Sequence, residues 1–201
     1  IPPDEVERLG IQVVPVRLSF GDREYLDRVS LTSEEFYELL RTEDEAPLTS
    51  QPPAQDFIRV YNLMTSHGYL VISVGLSQQL SGTTAAAIHA ASRVHGGEVR
   101  VIDSLSASAG QGLVAMVAAE AAIEGLSADD IEAMLRETIP VTRVIGVADE
   151  LSYAVKGGRV PAWVKKAADF LHQNPFLTAS ADGKMMVGGV QFGRGARPSR
   201  L

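Results

Sequence analysis

The chain has 201 residues, of which 45% are hydrophobic and 21% charged, a composition typical of one globular core with room for part of a second unit. Its net charge of −7 argues against a nucleic-acid partner, because binding along phosphates needs clustered Lys and Arg. The lack of cysteine excludes disulfides and thiolate chemistry, and no apolar run reaches the ~18 residues of a membrane span. We expect a cytoplasmic protein without a membrane span, and transient membrane contact stays open.

The first quarter of the chain predicts a helix, a hairpin and a second helix. Residues 1–10 read as a helix that begins at the prolines and ends at Gly10, with an opening strand expected before it. Residues 11–20 are β-branched and extended, and a turn at Gly21–Asp22 leads into the second hairpin arm. Thr32 and Glu35 have the spacing of a capping box, so a helix is expected to begin there.

Strands and helices alternate further along the chain. Short apolar runs predict buried strands, and Ala-rich or amphipathic stretches predict helices between them. The strands are expected at 69–76, 98–103 and 143–148, and the helices at 54–68, 82–95, about 107–123 and 127–138. This order predicts an α/β domain over residues 1–148, a mainly parallel sheet with flanking helices. Residues 149–201, with a turn at Asp182–Gly183, predict the start of a second, α+β domain, and 193–201 stop where another element should begin.

Three hydroxyl-rich loops are expected at the ends of strands. They are Thr49–Pro52, Ser77–Thr84 and Asp103–Gly112. Ligands of open α/β sheets bind outside the carboxyl ends of the strands, where helix N-termini offer unpaired N–H groups to an anion. Gly82 would let a ligand approach the backbone closely. Ser and Thr are also the preferred helix caps, so each loop alone is explained by capping.

Other chemistry has less support in the sequence. Ser81 lacks the Gly-x-Ser-x-Gly pattern of a serine nucleophile, and no histidine has an evident acidic partner. Phosphate-binding fingerprints and metal-ligand spacings are absent, so we predict no cofactor, no metal and no catalytic residue. Arg159, in Lys-Gly-Gly-Arg, either follows a helix end or points into a cleft between the two domains.

Several motifs together resemble one family. LTSQPP, LSQQLSGTT, VIDSLSASAGQGL, LSYAVKGGRV and NPFLTASADGKM follow the order and approximate spacing of the DegV family over nearly the whole chain. The resemblance implies a non-catalytic protein that binds a long-chain fatty acid and presents it to a fatty-acid kinase, which forms acyl phosphate for phospholipid synthesis. Residues 149–201 would then begin a lipid-binding domain.

The resemblance also implies the site. The carboxylate would lie between the two domains, held by the hydroxyls of Thr49 and Ser81, with the tail in an apolar tunnel of the first domain. The Gly82 N–H and the Thr83 hydroxyl would assist. The full candidate set for ligand binding is Thr49, Ser50, Ser77, Ser81, Gly82, Thr83 and Arg159.

Two residues depart from the family pattern, and two other functions stay open. Gln78 stands where relatives often have serine, and Thr84 where they often have an aromatic residue. The first alternative function is a lipid esterase or acyltransferase that uses Ser81 as nucleophile. The second is a regulatory module that senses a small anion.

Overall fold

The computed structural model describes residues 1–147, 151–161, 164–166 and 174–191. The predictions for 193–201 lie outside the described residues. Within the described ranges the elements follow in this order: α1 (Pro3–Arg8), β1 (Arg17–Phe20), β2 (Arg23–Leu26), α2 (Ser33–Thr42), β3 (Leu48–Ser50), α3 (Ala54–Ser66), β4 (Val71–Gly75), α4 (Thr83–Ala91), β5 (Val99–Asp103), α5 (Ser108–Ile123), α6 (Ala128–Val141), β6 (Ile145–Val147), α7 (Ser152–Lys156), β7 (Asn174–Ala179) and β8 (Met185–Gln191).

Two parallel strands form the centre of a three-layer arrangement. β4 and β5 pair from Val71↔Val99 to Gly75↔Asp103, so both end at the same edge of their sheet. Successive strand side chains point to opposite faces. Val71 accordingly packs with α3 and α4, and Ile72 packs with α5 and α6. The predicted α/β fold class is confirmed, although parallel pairing among the described strands is confined to β4 and β5.

Small and polar side chains fit the helices against this sheet. Ala87 and Ala90 of α4 are almost fully buried, as are Ala118 and Ala121 of α5, so these small residues serve close packing. The Tyr61 hydroxyl of α3 donates a hydrogen bond to Ser73 Oγ in β4 at 2.7 Å. Burial raises the pKa of the Tyr61 phenol above its usual value, and the bond to Ser73 partly opposes that rise.

A separate antiparallel sheet carries the first predicted loop. Its strand order is β2–β1–β3, and the turn at Gly21–Asp22 joins β1 and β2 as predicted. β1 begins at Arg17, two residues after Pro15, which has no N–H to donate to a ladder. One expectation was wrong here. The Thr49–Pro52 loop was expected at the end of a parallel strand, but β3 pairs antiparallel with β1.

The third sheet joins residues from both sides of the predicted domain boundary. β6 pairs antiparallel with β7, and β7 pairs with β8 across a turn in which Gly183 has φ +81°. We expected β6 to be a buried strand of the parallel sheet, but Ile145 is 71% exposed and Val147 52% exposed. A short apolar run indicates a strand without specifying its partner, which explains the error. The division of the chain at residue 148 stays a prediction.

Helix ends in the α/β part follow the predicted signals except at the C-terminal ends of α4 and of α6, which continues to Val141. Thr32 and Glu35 form the capping box reciprocally, and Ser127 caps α6. Gly10 and Gly125 have the positive φ values that follow a helix end. α4 was expected to reach residue 95, but it ends at Ala91, and the Ser92 hydroxyl then donates to the His89 carbonyl oxygen.

Candidate functional site

The loop after β4 is folded around Ser77. The Ser77 carbonyl oxygen accepts hydrogen bonds from the N–H groups of Leu80 (3.0 Å) and Ser81 (3.1 Å). Its hydroxyl accepts from the Gln79 N–H at 3.2 Å. The Ser77 N–H in turn donates to the Ser106 carbonyl oxygen at 2.8 Å, which ties this loop to the one after β5. Ser77 is 0% exposed, so its side chain shapes the loop from inside.

This folding leaves the Gly82 N–H as the loop's free donor. The N–H groups of residues 77–81 all donate within the chain, and the Thr83 N–H donates to Ser81 Oγ at 3.2 Å. Among the described residues nothing accepts from the Gly82 N–H, nor from those of Thr84 and Ala85 in the first turn of α4. Gly82 is exposed and is the N-cap of α4, so these donors lie where a helix N-terminus favours an anion.

Two hydroxyls stand beside this donor. Ser81 Oγ lies 2.8 Å from Thr83 Oγ1, and either atom can be the donor of that hydrogen bond. Ser81 is half-buried and Thr83 is buried. A hydroxyl donates one proton and accepts through two lone pairs, so the pair can turn one O–H towards an acceptor. The predicted trio of Ser81, Gly82 and Thr83 therefore forms one compact group at the start of α4.

Thr84 fastens this group to the strand. Its side chain is 0% exposed, and its hydroxyl donates to the Leu76 carbonyl oxygen at 2.6 Å. A Cβ on Gly75 would overlap Thr84 Oγ1, so the glycine leaves the space that the threonine fills. The departure from the family pattern at position 84 thus has a structural role, because it fixes the N-terminus of α4 against the end of β4.

The Thr49–Pro52 loop reaches the same place through Gln51. A Cβ on Gly82 would overlap Gln51 Oε1, so the Gln51 side chain lies against the Gly82 backbone. Thr49 and Ser50, at the end of β3, are exposed, and their hydroxyls make no hydrogen bond with the described residues. The Thr49–Pro52 and Ser77–Thr84 loops therefore meet at the contact between Gln51 and Gly82.

Arg159, which follows α7, and Gly183, in the β7–β8 turn, both contact the Ser77–Thr84 loop. α7 ends at Lys156 and is followed by Gly158 with φ +75°, and the Arg159 Nε then donates to the Leu80 carbonyl oxygen at 3.3 Å. The segment is therefore a helix end, and the Arg159 side chain contacts the loop after β4; that it points into a cleft between two domains stays a prediction. A Cβ on Gly183 would overlap Ser77 Oγ, so the β7–β8 turn covers Ser77.

Sequence reasoning missed one residue of this arrangement. Asp103 was not among the candidate site residues, yet its carboxylate accepts hydrogen bonds from the loops that follow both β4 and β5. As the last residue of a parallel strand it stands at the edge where neighbouring loops meet, but its bonding partners follow different strands and no local pattern identifies them. Ser104 and Ser106 beside it are buried and fold the second loop internally.

The geometry gives no support to the nucleophile alternative. Within the described ranges, the Ser81 hydroxyl has Thr83 as its side-chain partner, and no histidine bonds to it. A cavity of about 240 Å³ lies instead between the segment after α2 and helix α7, and its lining includes Glu43, Asp44, Glu45 and Lys156. This lining is too polar to hold an acyl chain. The apolar tunnel expected in the first domain for the fatty-acid tail therefore stays a prediction. In the described part of the chain, no helix has the length and apolarity to cross a membrane.

In this α/β fold, loops at strand ends and a helix N-terminus thus bring uncharged hydrogen-bond donors together, an arrangement that is able to hold a small anionic group. Residues 1–195 match the family model described as an uncharacterised protein of the DegV family. A DegV domain-containing protein of Caldanaerobacter subterraneus is 37% identical over 188 residues, which cover 93% of this chain and 66% of that protein. The chain belongs to the DegV family.

Solved structures agree with this membership. A fatty-acid-binding DegV family protein from Thermus thermophilus has a TM-score of 0.85 and 31% identity, over 96% of this chain and 68% of that one. A stearic-acid-binding protein from Eubacterium ventriosum has a TM-score of 0.87 and 25% identity, with the same coverage of 96% and 68%. The chain spans no more than about 66% of the length of the first curated relatives that it matches.

Proposed function

We propose that this chain binds a long-chain fatty acid, with its carboxylate at the meeting point of the Thr49–Pro52 and Ser77–Thr84 loops. The observation that carries the proposal is the free Gly82 N–H beside the Ser81 hydroxyl, with the Gln51 side chain of the facing loop against the Gly82 backbone. Thr49 and Ser50 bring further hydroxyls from that facing loop. Relatives of the same fold that are described as fatty-acid-binding proteins support the choice of ligand.

Physical chemistry supports a lipid as the ligand of such a site. Each buried methylene contributes roughly 0.8 kcal/mol, so a long chain supplies the affinity even after the cost of ordering it. The carboxylate then needs orientation more than strong attraction, and hydrogen bonds to a charged acceptor are stronger than neutral ones. Ser81, Thr83 and the N-terminus of α4 can supply these bonds without a buried cation. Arg159 lies near enough to add positive charge at the exposed side of the loop.

The second part of the proposal concerns what happens to the bound acid. The chain presents the acid to a fatty-acid kinase, which phosphorylates it to acyl phosphate, and does no chemistry itself. The support is that Ser81 pairs with Thr83 and with no base among the described residues, while Gly82 is exposed and thus accessible to a partner. The kinase would supply the catalytic groups and ATP.

The double variant Thr49→Ala with Ser81→Ala tests the site. We expect the purified variant to lose its co-purifying fatty acid while it keeps the circular dichroism of the wild type, because both hydroxyls are at least partly accessible. Lipid extraction followed by mass spectrometry measures the retained acid. Adding a bacterial fatty-acid kinase and ATP to the loaded wild type should give acyl phosphate, and the empty variant should give none.

The matched control is Thr42→Ala with Ser92→Ala. It removes one threonine and one serine hydroxyl that are exposed at the C-terminal ends of α2 and α4, away from the proposed site. The control should retain as much fatty acid as the wild type. Equal retention in the Thr49→Ala/Ser81→Ala protein would contradict the site, and hydrolysis of chromogenic esters that Ser81→Ala abolishes would favour the esterase alternative.

A further inference from the structure

One carboxylate ties together the loops that follow the two parallel strands. Asp103 is the last residue of β5, directly opposite Gly75 at the end of β4. Its Oδ2 accepts hydrogen bonds from both the backbone N–H and the side-chain Nε2 of Gln78, each at 3.2 Å. Its Oδ1 accepts from the Leu105 N–H at 2.8 Å. Asp103 therefore uses both oxygens to hold two different loops.

These bonds decide the course of the Ser77–Thr83 loop. Gln78 is the first residue after the buried Ser77, so fixing its N–H sets the direction in which the loop leaves the sheet. The N–H groups of Gln79, Leu80 and Ser81 then donate to Ser77, and the Gly82 N–H stays free. Leu105 has φ +49°, which is uncommon for a residue with a side chain, and the bond from its N–H to Asp103 helps to hold that conformation.

Asp103 also carries a negative charge, and two negative charges repel each other by an amount set by their distance. Hydrogen bonds donated to the Asp103 oxygens partly offset this charge. The donors are the backbone N–H groups of Gln78 and Leu105 and the Gln78 Nε2, and a charged acceptor makes these bonds stronger than neutral ones. The charge of Asp103 thus strengthens the loop.

We infer that Asp103 is a positioning residue of the fatty-acid site and acts through Gln78. It holds the Ser77–Thr83 loop so that the Ser81 hydroxyl and the Gly82 N–H together meet the carboxylate. This role rests on the proposed function, because it assumes that the site binds a fatty acid. Asp103 would affect how the site binds the carboxylate and not how the protein buries the acyl chain. Gln78, which departs from the family pattern, contributes the side-chain half of the contact.

The test compares two ligands that differ only in the head group. Palmitic acid and cetyl alcohol, which has the same chain length, each compete with a fluorescent fatty acid for wild type and variants. The wild type should prefer the acid, because hydrogen bonds to a charged carboxylate with two acceptor oxygens are stronger than those to the single neutral hydroxyl of the alcohol. Asp103→Asn keeps the side chain's size but replaces one of the two acceptor oxygens with an NH2 donor, so Gln78 and Leu105 can no longer both donate to it. It should lower the acid-over-alcohol ratio about tenfold.

Binding of cetyl alcohol distinguishes a positioning role from a structural defect. General damage to the protein would weaken binding of the alcohol as well as of the acid. Cetyl alcohol should lose less than about threefold in affinity for the Asp103→Asn protein, because chain burial is untouched. Gln78→Ala removes only the side-chain bond, so it should lower the ratio about threefold, and it serves if Asp103→Asn fails to fold. Asp22→Asn, an exposed aspartate in the β1–β2 turn, is the charge-matched control and should keep the wild-type ratio.

The outcomes separate this role from the proposed function. A wild type that binds neither ligand, or prefers neither, overturns the proposed function and the positioning role together. A wild type that prefers the acid, with an unchanged ratio in Asp103→Asn or Gln78→Ala, overturns the positioning role alone. An equal loss of acid and alcohol in the variants also overturns it, because that pattern means general damage to the protein.

Discussion

The role of each serine and threonine hydroxyl in the strand-end loops depends on how deeply that residue is buried. The serines and threonines of the strand-end loops look alike in the sequence, yet Ser77 and Thr84 are fully buried whereas Thr49 is exposed. The buried ones bond to the backbone of their own loop, and the exposed one makes no bond within the described residues. For Ser77, Thr84 and Thr49, burial therefore distinguishes hydroxyls that hold the loop together from a hydroxyl that is available to a ligand.

Thr84→Val tests a buried hydroxyl. The change keeps the shape of the side chain but removes the donor to the Leu76 carbonyl oxygen, so a buried acceptor loses its partner. We expect the free energy of unfolding in urea to fall by about 1–3 kcal/mol. Thr42→Val, which removes an exposed hydroxyl from the end of α2, should change it by less than about 0.5 kcal/mol. Equal losses in the two variants would show that the Leu76 bond contributes little.

The candidate site was only partly predictable at this scale. Spacing along the chain places Ser81, Gly82 and Thr83 at a helix N-terminus, because capping preferences are local. The contact between Gln51 and Gly82 joins β3 to α4 across the fold, and no local pattern records such a distance. Asp103 was missed for the same reason, since its partners Gln78 and Leu105 follow different strands. The inward direction of Ser77 likewise depends on the packing of Gly183.

At the scale of elements, helix boundaries were predicted best, because their signals lie within a few residues. The capping box of α2 is the clearest case, with the Thr32 N–H and hydroxyl both donating to Glu35 Oε2. Strand pairing was predicted worst. The composition of β6 indicates a strand correctly, but its pairing with β7 joins segments about thirty residues apart in the chain, which local composition does not specify.

Glu35→Gln tests the electrostatic part of this cap. The hydrogen bonds from Thr32 lower the pKa of the Glu35 carboxyl from its usual value, so the bonds stabilise the ionised form in the folded state. A lowered folded-state pKa gives stability that is present above the unfolded pKa and is lost as the pH falls through the folded one. We therefore expect Glu35→Gln to be less stable than the wild type at pH about 7, and the difference to disappear below pH about 4.

Urea unfolding at the two pH values measures this difference. Glu34→Gln is the control, because Glu34 lies in the same first turn of α2 but makes no hydrogen bond or ion pair with the described residues. Both carboxylates lie in the first turn of α2 and interact with its helix dipole. The two variants therefore differ only in the loss of the hydrogen bonds from Thr32. A gap between wild type and Glu35→Gln that persists unchanged in acid would contradict the assignment.

At the scale of the whole molecule, the proposed site lies where three packed parts approach one another. The β1–β3 sheet contributes Gln51, the α/β layers contribute the loops after β4 and β5, and the third sheet contributes the Gly183 turn. A ligand bound there would contact more than one of these parts. Its binding energy should therefore add to the stability of the fold as a whole.

Removal of the ligand tests this linkage. A ligand that binds only the folded state at 100 times its Kd adds about 2.7 kcal/mol to the free energy of unfolding. For a chain of this size that corresponds to a Tm about 5–10 °C higher. Delipidated protein should unfold at the lower temperature by differential scanning calorimetry, and added palmitic acid should restore the difference. Cetyl alcohol should restore less of it, and no change on delipidation would contradict the linkage.

The closing of the loop onto Ser77 has a consequence for recognition by a partner. The loop makes its hydrogen bonds within the chain, so we expect its backbone to keep the same outline when a ligand binds. A partner that must distinguish loaded from empty protein would then gain no information from the shape of this loop. It has to recognise the acid itself, or the Gly82 N–H that a bound carboxylate would cover.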